Sequence, residues 1–165
     1  MRVLGVDTSL RSTGVAVVEE RGSALVAVDY STISTPAGKP LSECLRRLQD
    51  GIVAAVAAHK PDQVAIEGVF FCKNLRTAVT LGHARGVVIA VCAKAGLPVF
   101  EYAPRRVKQA IVGHGAADKA QVRRMVMRLV NLDGEPGEDA GDALAIAICH
   151  LHNRTRHAVL APEAI

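Results

Sequence analysis

Tryptophan is missing from this 165-residue chain, and two tyrosines with three phenylalanines are all the aromatic side chains it has. Its core must therefore be aliphatic. No apolar run approaches the length of a membrane span, and the opening "MRVLGVDTS" reads as a strand rather than a signal peptide, so a cytoplasmic location is expected. The cysteines Cys44, Cys72, Cys92 and Cys149 are scattered, with no CxxC pair among them. That spacing argues against a disulfide framework or a zinc site and for free thiols. Internal repeats, linkers and low-complexity tracts are also lacking. Half of the residues are hydrophobic, which excludes a disordered chain. The length is that of one domain able to bury a core unaided.

Charge of one sign is scarce in the middle. Between Gly68 and Leu132 there are eleven Lys or Arg against two acids, Glu101 and Asp118, while the flanks hold the other fourteen acids. A net charge of +4 conceals this asymmetry. A basic centre between acidic ends points to a polyanionic partner, although basic helices also occur as plain solvated surface.

The punctuation of the chain is regular. "RVLGVDTS" (2–9), "TGVAVVEE" (13–20) and "SALVAVDYSTIST" (23–35) are β-rich runs separated by tight turns, which predicts an antiparallel meander. In residues 40–60 the period changes: Leu41, Leu45, Leu48, Ile52 and Val56 recur at helical spacing, with Pro40 at the first position. A short strand is expected over 62–68. A long helix over 74–96 follows, with Asn74 as its cap and Gly96 closing it. "PVFEY" is a further strand, "PRRVKQAIV" and "DKAQVRRMVMRLV" are basic helices, and 138–152 is the last helix. This order predicts an α/β fold: a mixed five-stranded sheet of a three-strand meander plus parallel strands, with helices on both faces. The domain is expected over residues 1–155, with a flexible tail over 156–165.

"EDAGDALAIAICHLH" carries the first chemical signal. Asp139 and Asp142 are three apart and share a helix face that continues into apolar residues. Acids in a first turn complement the helix dipole, which accounts for Glu138 but poorly for Asp142, set deeper beside Ala143. Asp7 lies within or at the end of the first strand and Glu67 ends the fourth, where carboxylates are disfavoured unless partnered, or are simply turn residues. If those strands are parallel neighbours, the two acids lie side by side, and a last helix packed beside them adds Asp139 and Asp142. Four carboxylates at close quarters raise one another's pKa, a conflict that a divalent cation resolves. All-oxygen ligation selects magnesium or manganese over zinc. Two such ions would bracket a phosphate.

The same segments resemble a known family. "GVDTSLRSTGVAV", "VAIEGVFFCKN", "LGHARGV", "PRRVKQAIVGHGAADKAQV" and "EDAGDALAIAICH" are similar to the RuvC Holliday-junction resolvases, a bacterial branch of the ribonuclease-H-like nucleases. The resemblance runs from about Met1 to His152. It implies a ribonuclease-H-like fold and a magnesium-dependent endonuclease, with Asp7, Glu67, Asp139 and Asp142 as the metal-binding catalytic acids. It also implies that Phe70 inserts at the junction crossover and that Lys108 and Lys119 lie near the scissile phosphates. A homodimer, a four-way DNA junction as substrate and a RuvA–RuvB type branch-migration complex as partner follow from it too. Arg105, Arg106, Arg123 and Arg124 are expected as phosphate contacts on the DNA.

Other readings stay open on the residues alone. The fold could serve a ribonuclease, or a DNA-binding module without catalysis. An actin-like ATP-binding domain would need a duplicated half that this length does not allow. Phe70 and Phe71 could plug the core. Ala78, Gly82, Gly86 and Ala90 form a small-residue face on the long helix that could meet a second copy of the chain or pack on the sheet. His150 and His152 are read as surface or core features.

Overall fold

The computed structural model describes residues 1–68, 74–154 and 163–165. Strands β1 (Arg2–Asp7), β2 (Ser12–Arg21) and β3 (Ala24–Ser34) form the expected meander, and α1 (Leu41–His59) leads to β4 (Gln63–Glu67). Helix α2 (Leu75–Lys94) precedes β5 (Val99–Tyr102), followed by α3 (Pro104–Val112), α4 (Lys119–Leu129) and α5 (Glu138–Arg154). The sheet order is β3-β2-β1-β4-β5, with β4 parallel to both β1 and β5.

Alternation along β1 explains why helices cover both faces. Val3 points into a core shared with α3, α4 and α5, through Val107, Val126 and Leu144. Leu4 and Val6 point the other way, onto Leu48 and Ile52 of α1 and Val88 of α2. Successive strand residues face opposite sides, so a continuous apolar run such as "VLGV" needs a helical layer on each.

Helix α5 lies unusually close to the sheet. A Cβ built on Gly5 would stand 2.2 Å from the Ala143 carbonyl oxygen, and one on Gly14 would stand 1.9 Å from that of Asp139. The small residues Ala140, Ala143 and Ala147 of α5 are buried against this surface. Gly14 is the register partner of Asp7. The absence of a side chain at Gly14 thus brings the start of α5 directly over the end of β1.

Several local expectations need adjustment. Pro40 is the extended residue before α1 (φ −66°, ψ 161°) rather than its first helical residue. Asn74 caps α2 as expected, its side chain accepting from the Arg76 amide at 2.8 Å. Helix α2 is long and apolar enough, by length and composition, to cross a membrane, which the sequence reading did not anticipate. It nevertheless buries Ala84, Val88 and Cys92 on the sheet and carries Arg76 and Arg85. Its small-residue face is turned outward, and a Cβ at Gly82 or Gly86 would meet nothing within 4 Å. His150 is a core residue, 1 % exposed. Most of the expected tail lies outside the described residues, but its end meets the sheet: Ala164 bridges to Phe100, and the Ile165 amide donates to the Val99 carbonyl at 2.9 Å. This contact partly covers β5, an edge strand.

Candidate functional site

The parallel ladder between β1 and β4 runs through Val6 and Ile66, so the next residues, Asp7 and Glu67, leave the same end of the sheet side by side. A cavity of about 350 Å³ opens there, and Asp7, Glu67 and Asp142 line it together with Lys108 of α3 and Lys119 of α4. Val107, Val122 and Ile146 form its apolar floor. These five charged residues come from five separate elements, β1, β4, α3, α4 and α5, and the fold brings them to one cleft.

Asp139 does not line that cavity. Its carboxylate accepts a short hydrogen bond from the Ser12 hydroxyl at the start of β2. The Ser9 and Ser12 turn is itself tied, with the Ser9 hydroxyl donating to the Ser12 carbonyl at 2.8 Å. Ser12 was not foreseen, because a serine in a turn carries no signal of a partner 127 positions away.

The acids crowd one another. Burial first, then the charges of Glu67, Asp142 and Asp139, push the Asp7 carboxyl up to about 7 from an ordinary 3.8. Glu67 is raised by burial and then by Asp142, against the lowering effect of Lys119 and Lys108. Asp142 is also raised, mainly by burial. Negative charge is therefore under-compensated at this spot. Carboxylate oxygens alone make a hard donor set, which suits magnesium or manganese. As the side chains stand, no three His, Cys, Asp or Glu among the described residues converge to hold a metal ion. Asp139 is turned to Ser12, and Lys119 reaches Asp142 at 3.5 Å.

Lys119 makes its closer contact with Glu138, at 2.5 Å. Glu138 therefore does more than complement a helix dipole: it holds the lysine at the mouth of the cleft. That hydrogen bond is the leading reason the Lys119 pKa is raised and that of Glu138 is lowered. Lys119 is set at the first position of α4 by a capping box, with Asp118 accepting from the Gln121 amide and Gln121 accepting from the Asp118 amide.

The arginines divide into two groups. Arg105 and Arg124 are exposed. Arg106 donates to the Asn153 side chain at 2.9 Å, and Arg123 pairs with Glu135 at 2.6 Å, so both are already engaged by the protein. Phe70 lies outside the described residues.

One further residue escaped the sequence reading. Arg85 of α2 donates to the main-chain carbonyl of Glu67 and to the carboxylate of Glu101. An arginine on an apolar helix gives no sequence signal of the strand end it will reach.

The family described as Crossover junction endodeoxyribonuclease RuvC matches residues 3–150. A curated relative of that name from Halorhodospira halophila is 48% identical over 154 residues, covering 93% of this chain and 92% of its own. Another, from Myxococcus xanthus, is 49% identical over 166 residues, with 99% and 86% covered. Among solved structures, a T. thermophilus RuvC in complex with a Holliday junction substrate superimposes with a TM-score of 0.91 at 32% identity, covering 98% of this chain and 99% of that one.

Proposed function

This chain belongs to the RuvC family of crossover junction endodeoxyribonucleases, and from that premise we propose that it resolves four-way DNA junctions by paired, symmetric nicks in opposing strands, in recombination and repair. The observation that carries the reading is the single cleft in which Asp7, Glu67 and Asp142 face Lys108 and Lys119. Carboxylates and cations lining one cleft suit a phosphodiester whose own negative charge must be tolerated beside acids.

Asp7, Glu67, Asp139 and Asp142 would hold the divalent cations, two magnesium ions per site with manganese able to substitute. Metal dependence belongs to the family, and the crowding that raises Asp7 supports it here. When bound, such ions supply Lewis-acid chemistry, activating water and offsetting charge on the phosphate. The protein's own part is positioning. Asp7 and Glu67 are placed by strand ends and Asp142 by the first turns of α5, and Asp139 would join them on leaving the Ser12 hydroxyl. Lys119, held over the cleft by Glu138, and Lys108 meet the growing negative charge of the transition state. Val107, Val122 and Ile146 limit water at the cleft floor.

Arg105 and Arg124 are the phosphate contacts best supported by exposure. Arg106 and Arg123 would serve only by leaving Asn153 and Glu135. Phe70 would open the base pairs at the crossover. Two nicks in a two-fold junction call for two sites, so the working unit is a homodimer formed through the outward face of α2. A RuvA–RuvB type helicase complex would deliver the junction, in the cytoplasm.

Incubation of the protein with magnesium and an end-labelled four-way junction tests the reading, with linear duplex and an RNA–DNA hybrid as controls. Paired cuts confined to the junction are expected. Cutting of the hybrid in preference would assign a ribonuclease, and tight junction binding without cuts a non-catalytic module.

A further inference from the structure

Glu67 is the last residue of β4, one step beyond the final β1–β4 pair of Val6 with Ile66. Its neighbour on the other side is Tyr102 of β5, whose carbonyl accepts from the Gly68 amide at 2.8 Å. Arg85 closes the remaining side. One arm of its guanidinium, Nη1, donates to the Glu67 carbonyl, and the other, Nη2, donates to the carboxylate of Glu101, itself the register partner of Ile66. Three elements, α2, β4 and β5, are thereby joined at the residue whose side chain enters the cleft.

The pair is largely buried: the Arg85 side chain is 13 % exposed and that of Glu101 26 %. Burying an ion pair contributes little to stability, since an apolar pair of the same shape often does as well. What an apolar pair cannot do is aim two fixed donors at once. The planar fork of arginine holds a geometry that the single ammonium of lysine does not.

We propose that Arg85 is a positioning residue for the carboxylate site. It fixes the Glu67 main chain so that the side chain stays directed into the cleft, while Glu101 holds the guanidinium in place. The proposal rests on the reading of Glu67 as a cation ligand.

Two readouts test it: single-turnover cleavage at saturating junction, and the rise in Tm when magnesium is added without DNA. Arg85→Met should fold, bind the junction within about twofold of wild type, and cut about 10- to 100-fold more slowly, the scale on which a displaced group costs rate. Its magnesium-induced rise in Tm should shrink. Arg85→Lys keeps the charge but not the fork, and should fall between Met and wild type in both readouts. In a Glu67→Gln background, Arg85→Met should change the magnesium response no further. If Arg85→Met does not fold, Arg85→Lys decides on the same two readouts.

Wild-type cleavage and wild-type magnesium response in Arg85→Lys would overturn the proposal. So would losses of rate and junction affinity in equal proportion with the magnesium response intact. A wild-type protein that cuts no junction would defeat the functional reading alone, because the thermal readout would still show whether Arg85 acts through Glu67.

Discussion

Gly14 and Asp139 cannot both keep their places if Gly14 carries a side chain: a Cβ there would stand 1.9 Å from the Asp139 carbonyl oxygen and 2.4 Å from its carbonyl carbon. Both atoms are backbone, so no rotamer change relieves the clash. Gly14→Ala should therefore push the start of α5 off β2, carrying Asp139 and Asp142 away from Asp7. We expect stability to fall by about 1–3 kcal/mol, the usual cost of overpacking a tight core. Cleavage should fall at least about a hundredfold, because displaced ligands lose their geometry. Chemical denaturation and single-turnover rates check both. A variant with unchanged rate would show that α5 need not press on the sheet.

Asp7 makes the metal-free protein sensitive to pH in a defined direction. With its folded pKa near 7 and an ordinary value of 3.8, the folded chain holds a proton that the unfolded chain has released between these pH values. This contribution is fully present below about pH 4 and lost as pH rises through about 7. Asp7→Asn should accordingly stabilise the metal-free protein at pH 8, by about 1–2 kcal/mol after allowance for solvent screening, and give no gain at pH 4. Magnesium should raise the wild-type Tm at pH 8 and raise that of Asp7→Asn much less. A loss of stability in Asp7→Asn at pH 8 would contradict the crowding of acids.

His150 acts in the opposite sense. Its Nε2–H donates to the Gln63 side chain at 2.6 Å, and its Nδ1 accepts from the Tyr102 hydroxyl at 2.8 Å, both as a neutral ring. Burial, then Arg154, lowers its pKa to about 4 from 6.5. Between those values the unfolded chain takes up a proton that the folded chain refuses. The stability it contributes is full above about pH 6.5 and lost as pH falls toward 4. In the Asp7→Asn background, urea midpoints should drop over this range by an equivalent of about 2–3 kcal/mol. Replacing His150 with Gln should flatten the slope; an unchanged slope would assign it elsewhere.

The outward face of α2 should mediate dimer formation. Gly82, Gly86 and Ala90 line an open hollow with Val87 and Val91, and Leu75 and Val79 nearby are 80% and 50% exposed. Small residues let a second helix approach closely, and exposed apolar ones supply area to bury. Light scattering at micromolar concentration should report a dimer. Gly86→Arg should give a folded monomer that binds junctions poorly and makes no paired cuts. A monomeric wild type that cuts both strands symmetrically would remove the need for the interface.

Much of this architecture is visible in the sequence, and the reasons it is not all visible are physical. Asp7 and Glu67 were readable as a pair because a strand repeats every two residues and parallel neighbours end together. Asp139 and Asp142 were readable through helical spacing. Nothing local tells that Asp139 turns to Ser12, that Glu138 holds Lys119, or that Arg85 reaches Glu67. Each of these contacts joins segments distant in the chain, and only the packing of α2, α4 and α5 decides them. The outward direction of the small-residue stripe on α2 was also undecided by spacing, since glycine and alanine suit a sheet and a second helix equally. Arg106 and Arg123 looked like free cations because their partners, Asn153 and Glu135, come from other parts of the fold.

The four acids are the centre of the account, and one comparison tests them most directly. Asp7→Asn, Glu67→Gln, Asp139→Asn and Asp142→Asn are each assayed for junction binding without added metal and for single-turnover cleavage in magnesium. Binding rests on phosphate contacts made by basic residues, whereas cutting depends on the carboxylates. All four variants should hold the junction within a few-fold of wild type and cut at least about a hundredfold more slowly. Full cleavage by any two of them would contradict the four-acid site.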